Sequence, residues 1–126
     1  MPMRSLITLC LLLLALRLQA SAIPDSLAVR SIVGEAAGES YAAKVGIAAA
    51  IRNRGSLKGV YGLKSPMVDK QPAWVWRDAR RAWSESATND PTDGASFWES
   101  TDFKTPKWAA KMHKTVQIGK TIFYKQ

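Results

Sequence analysis

The sequence holds one cysteine and one histidine in 126 residues, and that scarcity removes several chemistries at the outset. Cys10 lies in an apolar N-terminal run between Leu9 and Leu11, with no small residue before it such as a lipid-acceptor cysteine needs. The run reads as a secretory signal over residues 1–22. Arg4 supplies the positive start, Leu6 to Leu16 the apolar stretch, and Ala20-Ser21-Ala22 a small-x-small cleavage site. A membrane span needs roughly 20 apolar residues. Arg17 and Gln19 interrupt this run, so no stable membrane insertion is expected after cleavage. Residues 23–126 then carry no thiol, no disulfide and no cysteine metal site, and a cysteine nucleophile is excluded. Zinc usually takes three or four His, Cys or carboxylate ligands, and His113 alone is too little, so no metal is expected. A Ser-His-Asp triad would have to use His113, which sits in the basic, surface-like stretch Lys111-Met112-His113-Lys114.

Acids are also few, with 10 Asp and Glu against 18 Lys and Arg. Losing Arg4 and Arg17 with the signal lowers the formal charge from +8 to +6, which still suits a polyanionic partner. Lys104, Lys107, Lys111 and Lys114 crowd around Trp108, an arrangement shared with nucleic-acid surfaces. An exported chain does not meet a genome, so no nucleic-acid partner is expected. A chain of this size buries roughly two thirds of its unfolded surface, enough for one domain, and a monomer is expected. Without disulfides that domain must rely on packing, for which Trp74, Trp76, Trp83, Trp98 and Trp108 offer large side chains.

The periodicity places helices first. Asp25 or Ser26 caps a helix whose Val29, Ile32, Val33 and Ala36 recur at i, i+3, i+4 and i+7, with Gly38 at its end. Ser40 caps a second helix, Tyr41 to Arg54, apolar nearly all round and therefore buried; Gly55 ends it. Ser56 to Gln71 reads as a long loop, and Pro72 opens a third helix to about Ala87 with Trp76, Ala79, Trp83 and Ala87 near one face. Asn89 to Gly94 is a turn by composition, Ala95 to Ser100 a strand, and Thr115–Ile118 with Thr121–Lys125 a hairpin about Gly119-Lys120. Helices followed by strands predict a small single-domain α+β fold with a C-terminal β-hairpin.

If the chain is an enzyme, carboxylate chemistry is what remains. The densest signal is Gly34-Glu35-Ala36-Ala37-Gly38-Glu39, where two carboxylates four apart meet a helix end among small residues. Taking a carboxyl out of water favours its protonated form, the form that can donate. Pattern alone favours a surface helix end with two ordinary acids.

This segment, followed by an Ala-rich helix ending in Asn53-Arg54, resembles the opening of the SleB-type cell-wall hydrolases, the spore-cortex-lytic enzyme family. Asp90-Pro91-Thr92-Asp93-Gly94-Ala95 is similar to that family's DPTGGA turn, Phe97-Trp98 to the aromatic pair after it, and Ile118 to Tyr124 to its IGxHxFY ending. The likeness runs along residues 23–126, with Asp93 in place of a glycine, Thr121 in place of a histidine, and Glu99-Ser100 in place of Asn-Pro.

The resemblance implies a lysozyme-like domain acting on peptidoglycan glycan strands in the periplasm or cell wall, as a lytic transglycosylase without metal or cofactor. Its essential acid maps to Glu35. Glu39 takes a supporting role, orienting the site or capping the second helix. Asn53 hydrogen-bonds into the cleft or caps its helix. Asp90, Thr92 and Gly94 form either a substrate-facing or a structural turn, Gly94 through positive φ or close sugar approach. Trp98, with Phe97, stacks on sugar or belongs to the core. A second reading keeps the fold and drops the chemistry, leaving a secreted cationic module that binds peptidoglycan.

Overall fold

The computed structural model describes residues 23–126; the expected leader, with Cys10, lies outside the described residues. Helix α1 spans Asp25–Ala36, α2 Tyr41–Arg54 and α3 Ala73–Glu85. Strands β1 (Phe97–Ser100), β2 (His113–Ile118) and β3 (Thr121–Lys125) follow. Three short 3-10 turns lie at Gly62–Lys64, Val68–Lys70 and Lys107–Lys111. Helices precede strands, as the α+β expectation has it.

The core is made mostly of Ala, Val and Ile. Ala28, Val29, Ile32, Val33 and Ala36 of α1 are buried in helical register, and every residue of α2 from Ala43 to Ile51 is buried. Ser40 accepts a hydrogen bond from the Ala43 N–H (3.2 Å) and Gly55 ends α2 with φ 74°, the left-handed conformation that glycine adopts without penalty. A Cβ at Gly46 would lie 2.6 Å from the Phe123 ring, so this glycine lets the sheet close on α2.

Three expectations are corrected. Pro24, not Asp25 or Ser26, stands at the start of α1. Asp25 instead accepts a 2.7 Å hydrogen bond from Trp83 Nε1, tying α1 to α3. The buried face of α3 is Val75, Ala79, Ala82 and Trp83, with Ala87 beyond the helix and exposed, so the expected stripe is rotated. Only Trp83 of the five tryptophans is buried. Amphipathic rings settle at surfaces where one edge stays wet, and small aliphatic residues fill the interior instead.

The hairpin forms as expected about Gly119-Lys120, and β1 joins it to make one antiparallel sheet of order β1-β3-β2. Trp98 pairs with Phe123, and Phe97 with Tyr124. That register brings Trp98 from the sheet toward the end of α1.

Candidate active site

Glu35 lies in the last turn of α1, half-buried. A Cβ on Gly34 would fall 1.9 Å from the Gly62 carbonyl oxygen, so at this point α1 and the loop after α2 touch backbone to backbone. The approach delivers the Gly62 N–H to Glu35 Oε1 at 3.1 Å. From the sheet, Trp98 Nε1 donates to Glu35 Oε2 at 3.4 Å, a long bond. Each carboxylate oxygen therefore faces one fixed donor, and one helix, one loop and one strand converge on a single acid.

Arg54 closes the site behind Trp98. Its guanidinium lies 4.7 Å from the Phe97 ring centre and 4.8 Å from that of Trp98, and it donates to the carbonyls of Ser96 (2.9 Å) and Lys58 (3.1 Å). Burial pushes its pKa down and the Glu35 charge opposes that; an arginine so placed stays cationic.

Two grooves meet at Glu35 and Trp98. The larger, about 800 Å³, has Phe97 and Trp108 on the sheet side, with Arg54, Ser56, Lys58, Gly59, Tyr61 and Gly62 opposite. The smaller, about 250 Å³, is lined by Gly34, Glu39, Ile47, Glu99, Ser100, Phe103 and Thr121. Tyr61 and Phe103, one in each groove, are 73% and 77% exposed, so each groove offers a free aromatic ring. Open clefts that combine aromatic walls with polar side chains suit flat, amphipathic ligands such as sugar rings. Among the described residues, no three of His, Cys, Asp and Glu converge into a group that could hold a metal ion, and His113 is exposed at the start of β2.

The expected substrate turn has a different situation. Asp90 Oδ1 accepts from the Thr92 N–H (2.8 Å) and hydroxyl (2.6 Å), and Oδ2 from the Gly94 N–H (3.0 Å) and the Asn53 amide (2.9 Å). Asn53 also donates to the Ala95 carbonyl at 2.8 Å. Thr92 is fully buried, and none of Asn53, Asp90, Thr92 and Gly94 lines either groove. These four lock the end of α2 to the entry of β1. Gly94 has φ 81° with nothing within 4 Å of a Cβ position, so the turn needs glycine for its backbone rather than for close approach. Burial pushes the Asp90 carboxyl up, but hydrogen bonds from Thr92, Asn53 and the Thr92 and Gly94 N–H groups outweigh it and hold it below the usual range.

Of the sequence candidates, the structure brings Glu35, Glu39 and Trp98 together. It adds Arg54, Lys58, Tyr61, Gly62, Phe103 and Trp108, which sequence reasoning did not place in the site. Arg54 had a signal, the charged end of an otherwise apolar helix; Gly62 had another, a glycine in a loop with no hairpin to serve.

Three helices followed by a three-stranded antiparallel sheet match the fold of a SleB-type catalytic domain. Two solved structures share it. One is the catalytic domain of the Bacillus cereus SleB protein, 29% identical with a TM-score of 0.61, the match covering 80% of this chain and 88% of that one. The other is the catalytic domain of the germination-specific lytic transglycosylase SleB from Bacillus anthracis, 28% identical with a TM-score of 0.62, covering 80% of this chain and 93% of that one. The resemblance read from the motifs is thereby borne out. No protein-family model matches the chain, and no curated protein does.

Proposed function

We propose that this chain is an exported peptidoglycan-cleaving enzyme that cuts the bond between N-acetylmuramic acid and N-acetylglucosamine as a lytic transglycosylase, with Glu35 as acid and then base. The observation that carries the reading is the placing of Glu35, half-buried where two aromatic-walled grooves meet, with a donor on each oxygen. The match to SleB catalytic domains supports it.

In the proposed reaction protonated Glu35 gives its proton to the glycosidic oxygen as the bond from muramoyl C1 breaks, and N-acetylglucosamine leaves with a free hydroxyl. The Glu35 carboxylate then takes the proton of the muramoyl C6 hydroxyl as that oxygen bonds to C1, closing a 1,6-anhydro ring. Nothing is consumed but the glycosidic bond, and Glu35 ends as it began. The Gly62 and Trp98 N–H groups stabilise the carboxylate after the first transfer. A retaining glycosidase would use a second carboxylate about 5 Å away as nucleophile; the internal C6 hydroxyl makes that unnecessary. Glu39, in the smaller groove, orients the site in this reading. Export rests on the leader-like residues 1–22; no helix among the described residues is long and apolar enough to cross a membrane.

Residues 23–126 incubated with purified peptidoglycan are expected to release muropeptides ending in 1,6-anhydromuramic acid, one water lighter than hydrolytic products by mass spectrometry. Glu35→Gln is expected to lose about 10²- to 10⁴-fold in rate while still pelleting with the wall. Reducing-end products would make Glu35 the acid of a hydrolase. A folded protein that pellets with several walls and releases nothing would be a binding module.

A further inference from the structure

The two grooves that meet at Glu35 are opposite in charge. In the larger, Arg54 and Lys58 stand against Glu35 as the one acid. The smaller holds Glu39 and Glu99 in addition to Glu35, with no cation among its lining. The two cations differ in availability. Arg54 is engaged by the Ser96 and Lys58 carbonyls and by two aromatic rings. Lys58 is exposed, and it takes part in none of the ion pairs among the described residues.

The two sugars of a peptidoglycan strand also differ in charge. N-acetylglucosamine is neutral, whereas N-acetylmuramic acid carries a lactyl group on O3 that ends in a carboxylate or continues into a peptide bearing carboxylates. A carboxylate in the smaller groove would meet like charge in a partly desolvated cleft, where repulsion is less screened than in water. In the larger groove it would meet the free ammonium of Lys58, with the fixed Arg54 charge behind it.

We propose that this asymmetry sets the direction of the strand: the muramoyl residue occupies the larger groove, its lactyl carboxylate read by Lys58, and the neutral N-acetylglucosamine occupies the smaller. Lys58 is then the residue that distinguishes a peptidoglycan strand from an uncharged N-acetylglucosamine polymer. The inference rests on the function proposed above, since it takes the cleft to be a glycan site. It fits the chemistry, because the reacting C1 and C6 hydroxyl both belong to the muramoyl sugar and that sugar would be held by the groove that offers its carboxylate a cation.

The test measures binding, so that turnover does not intrude. In the Glu35→Gln background, affinities are compared by calorimetry for two soluble probes, the tetrasaccharide of alternating N-acetylglucosamine and N-acetylmuramic acid and the N-acetylglucosamine tetrasaccharide. Lys58→Gln is expected to weaken the first about five- to tenfold and leave the second unchanged, with Lys58→Arg restoring most of the loss. The difference is expected to shrink as salt is raised, because the contact is solvent-exposed. An unchanged affinity for the muramic probe, or equal losses for both probes, would overturn the assignment while leaving the glycan site standing. If the folded protein bound neither probe, the glycan site itself would fall, and the assignment with it.

Discussion

Gly34 and Gly62 touch backbone to backbone, and the acid of the site depends on that contact. A Cβ at Gly34 would lie 1.9 Å from the Gly62 carbonyl oxygen, and a Cβ at Gly62 would lie 2.8 Å from both Cγ and N of Glu35. Neither position can accept a side chain without moving the loop that supplies the Gly62 N–H to Glu35. Neither glycine has positive φ, so close approach and not conformational freedom is what they provide.

Gly34→Ala is therefore expected to destabilise the protein by about 1–3 kcal/mol, the usual range for overpacking a tight contact, read by urea unfolding. Gly62→Ala is expected to lose activity out of proportion to its stability, since its Cβ meets the Glu35 side chain directly. A Gly62→Ala protein with normal turnover would remove the importance assigned to this contact.

Trp98 offers Glu35 a ring wall and one N–H. Trp98→Phe keeps most of the wall and removes the donor. A neutral hydrogen bond contributes about 0.5–1.5 kcal/mol, so the rate of muropeptide release is expected to fall about three- to tenfold with little change in substrate affinity. A loss confined to affinity would assign Trp98 to sugar stacking instead.

The Asn53–Asp90 lock gives two measurable consequences. Asn53→Ala strips a donor from Asp90 and from the Ala95 carbonyl, and is expected to cost about 1–2 kcal/mol through unsatisfied acceptors. Asp90 has a depressed pKa in the fold, so its contribution is present above the unfolded carboxyl pKa of about 3.9 and is lost as pH falls through the lower folded value. Thermal melts between pH 6 and pH 2 are expected to show a shallower acid decline for Asp90→Asn than for the wild type.

Asp93 has φ 55°, the one non-glycine residue with positive φ among those described, at the place where the SleB-type turn has glycine. Its carboxylate faces Lys125 at 3.7 Å, and both side chains are well exposed, a pair worth about 0–1 kcal/mol. The left-handed conformation costs an L residue about 1–2 kcal/mol, less for Asp. Asp93→Gly is thus expected to raise stability by up to about 1 kcal/mol, seen as a higher melting temperature. A lower one would give the Lys125 pair the greater weight.

Local signals made much of this legible before any coordinates. Ser40 and Gly55 bracket α2, Gly119-Lys120 marks the hairpin, and Asn53-Arg54 with Glu35 carries the family likeness, because caps, turns and motifs are written in adjacent residues. What was not legible is set by contacts far apart in sequence. Gly62 reaches Glu35 across 27 residues and Trp98 across 63, and no periodicity predicts either. The Asp90 turn stays open between two readings in the sequence for a related reason: its composition shows that a turn forms, whereas its direction depends on Asn53, 37 residues away. The tryptophans follow the same logic, since their size argues for burial while their polar edge and the packing of α2 against the sheet put four of the five at or near the surface.

Tyr124 and Glu99 form the last testable pair, on the sheet between the two grooves, Glu99 lining the smaller and Tyr124 packing against Trp108 of the larger. The Tyr124 hydroxyl donates to Glu99 Oε1, while Glu99 Oε2 is buried without a hydrogen-bond partner. Trp108 packs edge-on against the Tyr124 ring at 5.4 Å. Burial, and then the hydrogen bond and charge of Glu99, push the phenol up to about 12. A pKa raised in the fold means a contribution fully present below the unfolded value of about 10 and lost as pH rises through about 12. Phenolate absorbance is expected to show one tyrosine titrating late, with the melting temperature declining over the same interval. Glu99→Gln is expected to move that titration down while leaving it above the ordinary range, because burial, the larger cause, remains. If the late tyrosine stayed where it was in Glu99→Gln, the carboxylate would have no part in holding Tyr124 neutral, and packing alone would secure this wall between the grooves.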